Sequence, residues 1–388
     1  MTRLRTPAAV LLATAFAVLP ATTTPAYADT IRARQWGLQA LHTTEAWQTT
    51  RGKGITVAVL DTGVDAQHPD LAGSVLTGRD LVGFGASRGD RAWARHGTAM
   101  AGIIAGHGHG PDGGDGVLGI APDARILPVR VILEGTDTSR DKARKTRGTA
   151  LAEGIRWAAD HGADVINMSL GDDSRSAHPD AGEDAAVQYA LAKGVSVVAS
   201  AGNGGEKGDH ISYPAAYPGV IAVTAVDRYG THASFSTSRW YATVSAPGVD
   251  IAIADPDRRY YEGWGTSAAA AFASGAVALV RSAHPGLTPA QVKRLLVDTA
   301  RSRPKGGRSD AKGYGTVDPA AAIEAGAKIK GGDPKTTATG YRGRYFGPGP
   351  LPAPDESRPI GLLAPLTGGL GALLLLTALI LRRSHRTS

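Results

Sequence analysis

Four short, almost wholly apolar runs constrain the fold of this chain more than any other feature of its sequence. Polar residues do not alternate through them, so they predict strands that are covered on both faces of a sheet. The runs are GITVAVLD (54–61), ARILPVRVI (124–132), ADVINMSLG (163–171) and VSVVASAGN (195–203).

Two amphipathic stretches separate the later runs, at 148–162 and 183–194, and each ends in glycine, a common helix stop. Alternating strands and helices indicate an α/β fold with a parallel sheet built from right-handed crossovers. In such sheets ligands and reactive groups collect at the carboxyl ends of the strands.

Composition excludes several function classes. The chain has no cysteine, which excludes disulfides, thiolate catalysis and cysteine-ligated metals. Its formal charge of +7 is concentrated at the ends and in RDKARKTR (140–147), so we do not expect a nucleic-acid partner. Hydrophobic residues make up 42%, enough for one large domain, which we place at 51–328 after a lead-in at 29–50.

The first residues are typical of a secretory signal peptide. A basic start, an apolar stretch from Ala8 to Leu19 and small residues at Ala26 and Ala28 predict cleavage after Ala28, so that 1–28 is removed. The alternative, an N-terminal membrane helix, is disfavoured because the apolar stretch is too short to cross a bilayer.

The other end predicts a membrane anchor. A Gly/Pro-rich linker at 329–360 leads into the uncharged segment 361–381, which is long enough to span the hydrocarbon as a transmembrane helix. The basic tail 382–388 should stay cytoplasmic, with the body outside the cell. A buried core helix and a tail removed for covalent anchoring are the alternatives. The tail's arginines favour a retained helix.

Two polar residues stand where the predicted strands and helices meet. Asp61 ends the first apolar run, where a partly desolvated carboxylate needs a partner. His96 lies in RHGTAMAGIIAG, whose small residues would let an imidazole approach other groups closely. Taken alone, Asp61 reads as a turn residue and His96 as a structural histidine.

Two more candidates lie further along the chain. Asn203 follows the last apolar run, where its amide could donate to an oxyanion, although a turn asparagine before glycine is common. Ser267 opens an alanine-rich helix in GWGTSAAAAFASG, either as a helix cap or as a nucleophile. Together the four predict a Ser–His–Asp triad with an oxyanion donor.

The chain resembles the subtilisin-like serine proteases (subtilases) over about 51–325. The matching motifs are DTGVD (61–65), HGTAMAG (96–102), SAGNGG (200–205), GTSAA (265–269), HPDL (68–71), GIAPDARILPVRV (119–131), NMSLG (167–171) and VSAPG (244–248). The resemblance implies a doubly wound, mostly parallel sheet flanked by helices, and peptide-bond hydrolysis through an acyl-enzyme. It also implies that Ser169, Leu170 and Gly171 form one edge of the cleft, where a peptide pairs as an added strand.

The two ends of the chain are similar to those of the mycosins, membrane-anchored subtilases that accompany type VII secretion systems. That likeness implies a secretion complex as partner and few substrates. The chain departs from the subtilase pattern at Ala268, usually bulkier, and at Ala271, usually proline, and it lacks the cysteine pairs that mycosins often carry. The polar insert 134–147 predicts a solvated excursion, with a partner-binding loop as the alternative.

No cofactor or metal is expected. His107 and His109 lack a third ligand nearby, His68 reads as structural, and no dense acidic loop indicates a calcium site. Two rival functions remain besides a serine endopeptidase. One is a non-catalytic scaffold that braces a membrane complex. The other is an esterase or lipase, disfavoured because that motif needs glycine two residues after the serine and a different order of the triad.

Overall fold

The computed structural model describes residues 30–330 of the chain, and strands and helices alternate along this part. The strands are β1 (Thr56–Asp61), β2 (Arg79–Asp80), β3 (His107–His109), β4 (Asp115–Leu118), β5 (Arg125–Arg130), β6 (Val165–Met168), β7 (Ser196–Ser200), β8 (Ile221–Val226), β9 (Ala242–Pro247), β10 (Ile251–Ala254) and β11 (Tyr260–Gly263). The helices are α1 (Thr30–Arg34), α2 (Trp36–Ala40), α3 (Thr43–Trp47), α4 (Arg95–Ala105), α5 (Arg140–Thr146), α6 (Ala150–Asp160), α7 (Ala181–Ala192), α8 (Thr266–Ala283), α9 (Pro289–Thr299) and α10 (Pro319–Gly326). Short 3₁₀ turns lie at Pro69–Leu71 and Pro111–Gly113.

Seven strands form the main sheet in the order β2-β5-β1-β6-β7-β8-β9, and every pairing in it is parallel. The four apolar runs correspond to β1, β5, β6 and β7, which confirms the predicted parallel sheet. Strand β1 pairs with β5 on one side and β6 on the other, so the strand order reverses at β1. The carboxyl end of β1, where ligands usually bind in such sheets, is Asp61.

Helices cover both faces of the sheet, as a doubly wound fold requires. Alternate residues of β1 point to opposite faces. Val57 and Val59 belong to the main core, to which α4 and α8 also contribute. Leu60 faces α6, which lies so close that a Cβ on Gly154 would stand 2.7 Å from Val131 Cγ1 and 3.5 Å from Leu60 Cδ2.

Helix α8 runs through the centre of the core because its residues are small. Ala269, Ala270 and Ala271 are each 0% exposed, and a Cβ on Gly275 would stand 1.6 Å from Ile120 Cγ2. The helix packs against α4 and against β6 to β9. The helix is continuous through Ala271, the position at which subtilases usually have proline. Its close packing fixes where its first turn, which carries Ser267, lies.

The described part of the lead-in, residues 30–50, is integrated into the fold. Leu41 and Ala46 are buried in the main core. Gln35 and Leu118 exchange two hydrogen bonds, of 2.8 and 3.0 Å, and Trp36 Nε1 donates to Val249 O at 3.1 Å.

The predicted signal (1–28), the predicted spanning segment (361–381) and the basic tail (382–388) lie outside the described residues, as does almost all of the linker. Between residues 30 and 330, no helix combines the length and the apolar character that crossing a membrane requires.

The insert at 134–147 is mostly exposed, as a solvated excursion would be, but it is anchored to the body at a few positions. It contains helix α5, and Ala143 is buried in a small cluster with Val82 and Leu133. Asp137 is also buried and accepts a 2.7 Å hydrogen bond from Ala86 N. Arg147 Nε donates to Val82 O at 3.0 Å. The insert is therefore tied to the body through a few of its residues.

Candidate active site

Asp61 and His96 form a close pair at the carboxyl end of β1. Asp61 is 0% exposed, and His96 Nδ1 lies 2.8 Å from each of its carboxylate oxygens. Thr62 N donates to Asp61 Oδ1 at 2.7 Å. The buried carboxylate therefore has the partner that its desolvation demands, and it binds the imidazole through Nδ1.

The environment of His96 favours the protonated imidazole. Burial lowers the pKa of His96, but the charge and hydrogen bond of Asp61, together with the charge of Glu134, more than reverse this, so the pKa is raised. Arg140 acts in the opposite direction. An imidazole in this setting accepts a proton readily and stabilises the imidazolium that results.

Contacts with two other segments fix the first turn of α4, which carries His96. The residue before the helix, Ala94, has a left-handed backbone (φ 53°) and offers no side-chain cap. Instead, His96 N donates to Glu134 Oε1 at 2.8 Å, and Gly97 N donates to Thr62 Oγ1 at 3.1 Å.

The small residue after His96 is required by this packing. A Cβ on Gly97 would stand 2.0 Å from Gly63 O and 3.2 Å from Asp61 Cβ. This confirms the expectation that small neighbours let the imidazole approach other groups closely.

Ser267 is the second residue of α8, and the helix starts directly after a glycine in a conformation that other residues avoid. Gly265 has φ 141° and ψ 158°, which lets the chain turn sharply from β11 into the helix. Ser267 Oγ donates to Ser169 O at 3.1 Å, and Ser169 Oγ donates to Ser267 O at 2.9 Å. The start of α8 is thus joined to the end of β6 by two reciprocal hydrogen bonds.

Asn203 lies beside Ser267 with its side chain fixed from one end. Its Oδ1 accepts two hydrogen bonds of 2.9 Å, from Thr266 N and Thr266 Oγ1. A Cβ on Gly265 would stand 3.6 Å from Asn203 Nδ2 and 3.7 Å from Ser267 N, so these two N–H donors border the same space. Asp173, which the sequence analysis did not single out, accepts from Asn203 N at 2.8 Å.

The predicted cleft residues follow β6 at the same edge of the sheet. Ser169 is joined to Ser267, and Leu170 O accepts a 3.4 Å hydrogen bond from Ser200 Oγ. Gly171 has no room for a side chain, because a Cβ there would stand 2.8 Å from Tyr213 O.

The predicted site residues therefore form two groups: Asp61 with His96, and Ser267 with Asn203 and Ser169. Each helix carries its residue at the second position, and α4 packs against α8. Within residues 30–330, no recorded hydrogen bond joins Ser267 Oγ to His96, since the hydroxyl is directed to Ser169 O.

Glu134 is the neighbour of His96 that sequence reasoning missed. The available signal was its position just after the apolar run 124–132, at the same strand edge as Asp61. It was passed over because the polar insert that it opens was expected to be solvated.

Two other histidines, His68 and His109, form a separate cluster around Asp70. His109 Nδ1 lies 2.6 Å from Asp70 Oδ1, and the buried His68 accepts a hydrogen bond from Asp70 N at 3.2 Å. Burial lowers the pKa of His68, which favours its neutral form. Across the described range 30–330, no group of three or more His, Cys, Asp or Glu side chains is arranged to hold a metal ion.

Comparison with known proteins connects the chain to named proteases. Fervidolysin from Fervidobacterium pennivorans is 36% identical over 340 residues, which cover 79% of this chain and 46% of fervidolysin. Thermitase from Thermoactinomyces vulgaris is 37% identical over 267 residues, which cover 69% of this chain and 88% of thermitase. The chain thus spans less than half the length of fervidolysin but most of thermitase.

Solved structures include two mycosins among its neighbours. MycP1 from Mycobacterium smegmatis has a TM-score of 0.64 and 31% identity, covering 79% of this chain and 86% of MycP1. MycP3, a protease from the type VII (ESX-3) secretion system, has a TM-score of 0.61 and 34% identity, covering 74% of this chain and 88% of MycP3. The profile of the subtilase family (Peptidase S8) matches residues 52–315, and the chain belongs to that family.

Proposed function

We propose that this chain is a serine endopeptidase that hydrolyses peptide bonds through an acyl-enzyme. The observation that carries the proposal is the pairing of a fully buried carboxylate with an imidazole, 2.8 Å apart, beside a helix whose first turn carries a hydroxyl. Membership of the subtilase family supports the same reading.

In the acylation step His96 acts as general base. Its Nε2 accepts the proton of Ser267 as the oxygen attacks the carbonyl carbon of the scissile bond, and Asp61 holds Nδ1–H and stabilises the imidazolium. Ser267 Oγ must first leave Ser169 O and turn toward His96. Such hydrogen bonds are often made only once substrate is bound.

The tetrahedral oxygen is then stabilised by two N–H donors. Ser267 N lies in the first turn of α8, where the helix dipole favours negative charge, and Asn203 Nδ2 borders the same space. His96 returns its proton to the leaving amine, and the acyl group stays on Ser267. A water that His96 activates in the same way then releases the acyl group and restores the serine.

The substrate is proposed to lie along Ser169, Leu170 and Gly171 as an added strand. These residues leave β6 at the edge that carries Ser267. Backbone pairing binds any sequence, so side-chain pockets must supply selectivity.

The proposal is tested by chemical labelling of the full-length chain. We expect a fluorophosphonate probe to label it once per chain, with the label on the peptide that contains Ser267. A chain that melts cooperatively but takes no label would favour the non-catalytic scaffold instead.

Replacement of Asn203 tests the oxyanion donor. We expect Asn203→Leu to lower kcat by roughly 10² to 10³ with little change in KM, because the donor acts mainly on the transition state. Thr266→Val is the companion variant. It removes one of the two hydrogen bonds that orient Oδ1 but keeps Nδ2, and we expect it to cost only about 10-fold. A raised KM at unchanged kcat in Asn203→Leu would instead assign Asn203 to substrate binding.

We further propose that the chain is exported by its signal and held at the membrane by 361–381, with the domain outside the cell. Its partner is then a type VII secretion complex. The uncharged segment and the arginines after it support the orientation. MycP1 is described as an essential component of the type VII (ESX-1) secretion system, which supports the partner.

Deletion of 361–388 tests the anchor. We expect the full-length chain to sediment with membranes and resist extraction at high salt, whereas the truncated chain is released to the medium with its peptidase activity intact. The measurement is the partition of labelled protein between membrane and medium. A full-length chain found mainly in the medium would contradict the proposed anchoring.

A further inference from the structure

Glu134 contacts the residue that the proposed mechanism uses as its base, and nothing in the triad explains it. Its carboxylate accepts a 2.8 Å hydrogen bond from the backbone N–H of His96. It is only half-buried, but it opens a segment that is anchored by the buried Asp137 and Ala143.

The first turn of α4 needs such an acceptor. The first N–H groups of a helix have no partner within the helix, and a side chain at the preceding position usually accepts from them. That position here is Ala94, which cannot. Thr62 accepts from Gly97 N, and Glu134 accepts from His96 N. The cap of α4 is therefore supplied from two other segments, one of which carries a charge.

Two carboxylates thus bind different parts of the same histidine. Asp61 binds the ring at Nδ1, and Glu134 binds the main chain of the same residue. Arg140, in the first turn of α5, opposes them by lowering the pKa of His96. The neighbouring Arg95 is engaged elsewhere, because its Nε donates to Asp255 Oδ2 at 2.6 Å.

We propose that Glu134 is a positioning residue for His96: it fixes the turn that carries the imidazole, and its charge favours the imidazolium formed when Ser267 attacks. This inference rests on the proposed function. It assigns a part in the chemistry to the insert 134–147, which otherwise looks like a surface elaboration of the domain.

The test separates the charge of Glu134 from its hydrogen bond. Glu134→Gln keeps an acceptor for His96 N but removes the charge. Since the Glu134 charge raises the pKa of His96, its loss lowers that pKa, and the base becomes neutral at lower pH. We expect the acidic limb of kcat/KM, and of the rate of fluorophosphonate labelling, to move to lower pH in the full-length chain.

The expected size is a rise of roughly 2- to 5-fold in the labelling rate on the acidic limb, relative to the plateau of the same variant. Asp141→Asn is the matched control. It removes one negative charge from the same insert, at an exposed position of α5, and should leave the profile where the wild type has it. Glu134→Asp keeps the charge and should also keep the acidic limb in place. If Glu134→Gln melts at a much lower temperature than the wild type, Glu134→Asp is the variant whose pH profile is compared with that of the wild type.

The outcomes are distinct. A Glu134→Gln profile that superimposes on that of a labelled wild type, or an equal shift in Asp141→Asn, overturns the role of Glu134 and leaves the proposed function standing. A folded wild type that takes no label overturns the proposed function itself. A purely structural role would lower the plateau of Glu134→Gln without moving its acidic limb.

Discussion

Replacing Ser267 by alanine is expected to abolish fluorophosphonate labelling and to lower kcat by roughly a million-fold, the largest effect anticipated for any single substitution in this chain. The variant keeps the backbone N–H of residue 267 and Asn203 Nδ2, so the donors to the oxyanion survive. It loses the atom that attacks. The residual rate is expected to exceed the uncatalysed rate, because substrate binding and oxyanion stabilisation continue.

The control for this variant lies on the same helix. Ser282 also has a hydroxyl engaged by a backbone carbonyl, donating to Lys53 O at 2.8 Å, but it lies near the far end of α8. Ser282→Ala should be labelled at the wild-type rate. Labelling that persists in Ser267→Ala would show that another residue is the nucleophile. Both variants should melt close to the wild type, because Ser267 is only partly buried and alanine favours helix.

Asp61→Asn is expected to lower kcat by roughly 10⁴-fold while the protein stays folded. The reason lies in the hydrogen bond from Thr62 N to Asp61 Oδ1. This donor selects the amide oxygen of an asparagine, so the NH₂ group is directed to His96 Nδ1. The ring must then place its proton on Nε2, the atom that should accept from Ser267.

Combining substitutions gives a second readout of the same idea. If Asp61, His96 and Ser267 act as a unit, Asp61→Asn should cost nothing further in a chain that already carries Ser267→Ala. Asp65→Asn is the matched control. It neutralises a nearby carboxylate that binds Arg88 and accepts from Gln67 N, and we expect it to cost less than about 10-fold. Independent, multiplying losses for Asp61 and Ser267 would argue against a triad.

The parts of the fold that the sequence predicts are those set by local pattern. The four apolar runs are strands because continuous burial on both faces demands apolar residues at every position, and that demand is visible in the letters. Strands β8 and β9 were less evident. In β9, for example, buried Thr243 and Ser245 interrupt the apolar run, and their hydroxyls are bonded across the fold to Ala222 N and Thr316 Oγ1.

The parts of the site that could not be predicted are those set by contacts between distant segments. That Ser267 Oγ rests on Ser169 O depends on how closely α8 approaches β6, which no local pattern encodes. The anchoring of the insert 134–147 was missed for the same reason. Its charges resemble those of a solvated loop until Arg147 and Asp137 meet backbone partners more than fifty residues away. The composition of a segment does not show which distant backbone groups its side chains will bind.

Two successive residues at the end of β1 bind the start of α4. Asp61 binds the ring of His96, and Thr62 Oγ1 accepts a hydrogen bond from Gly97 N. The orientation of the base is therefore set by an interior strand of the sheet, and such strands are among the last parts of a fold to open on heating. We therefore expect peptidase activity to be lost at the same temperature as the global fold. No range of temperature should exist in which the domain is folded but inactive.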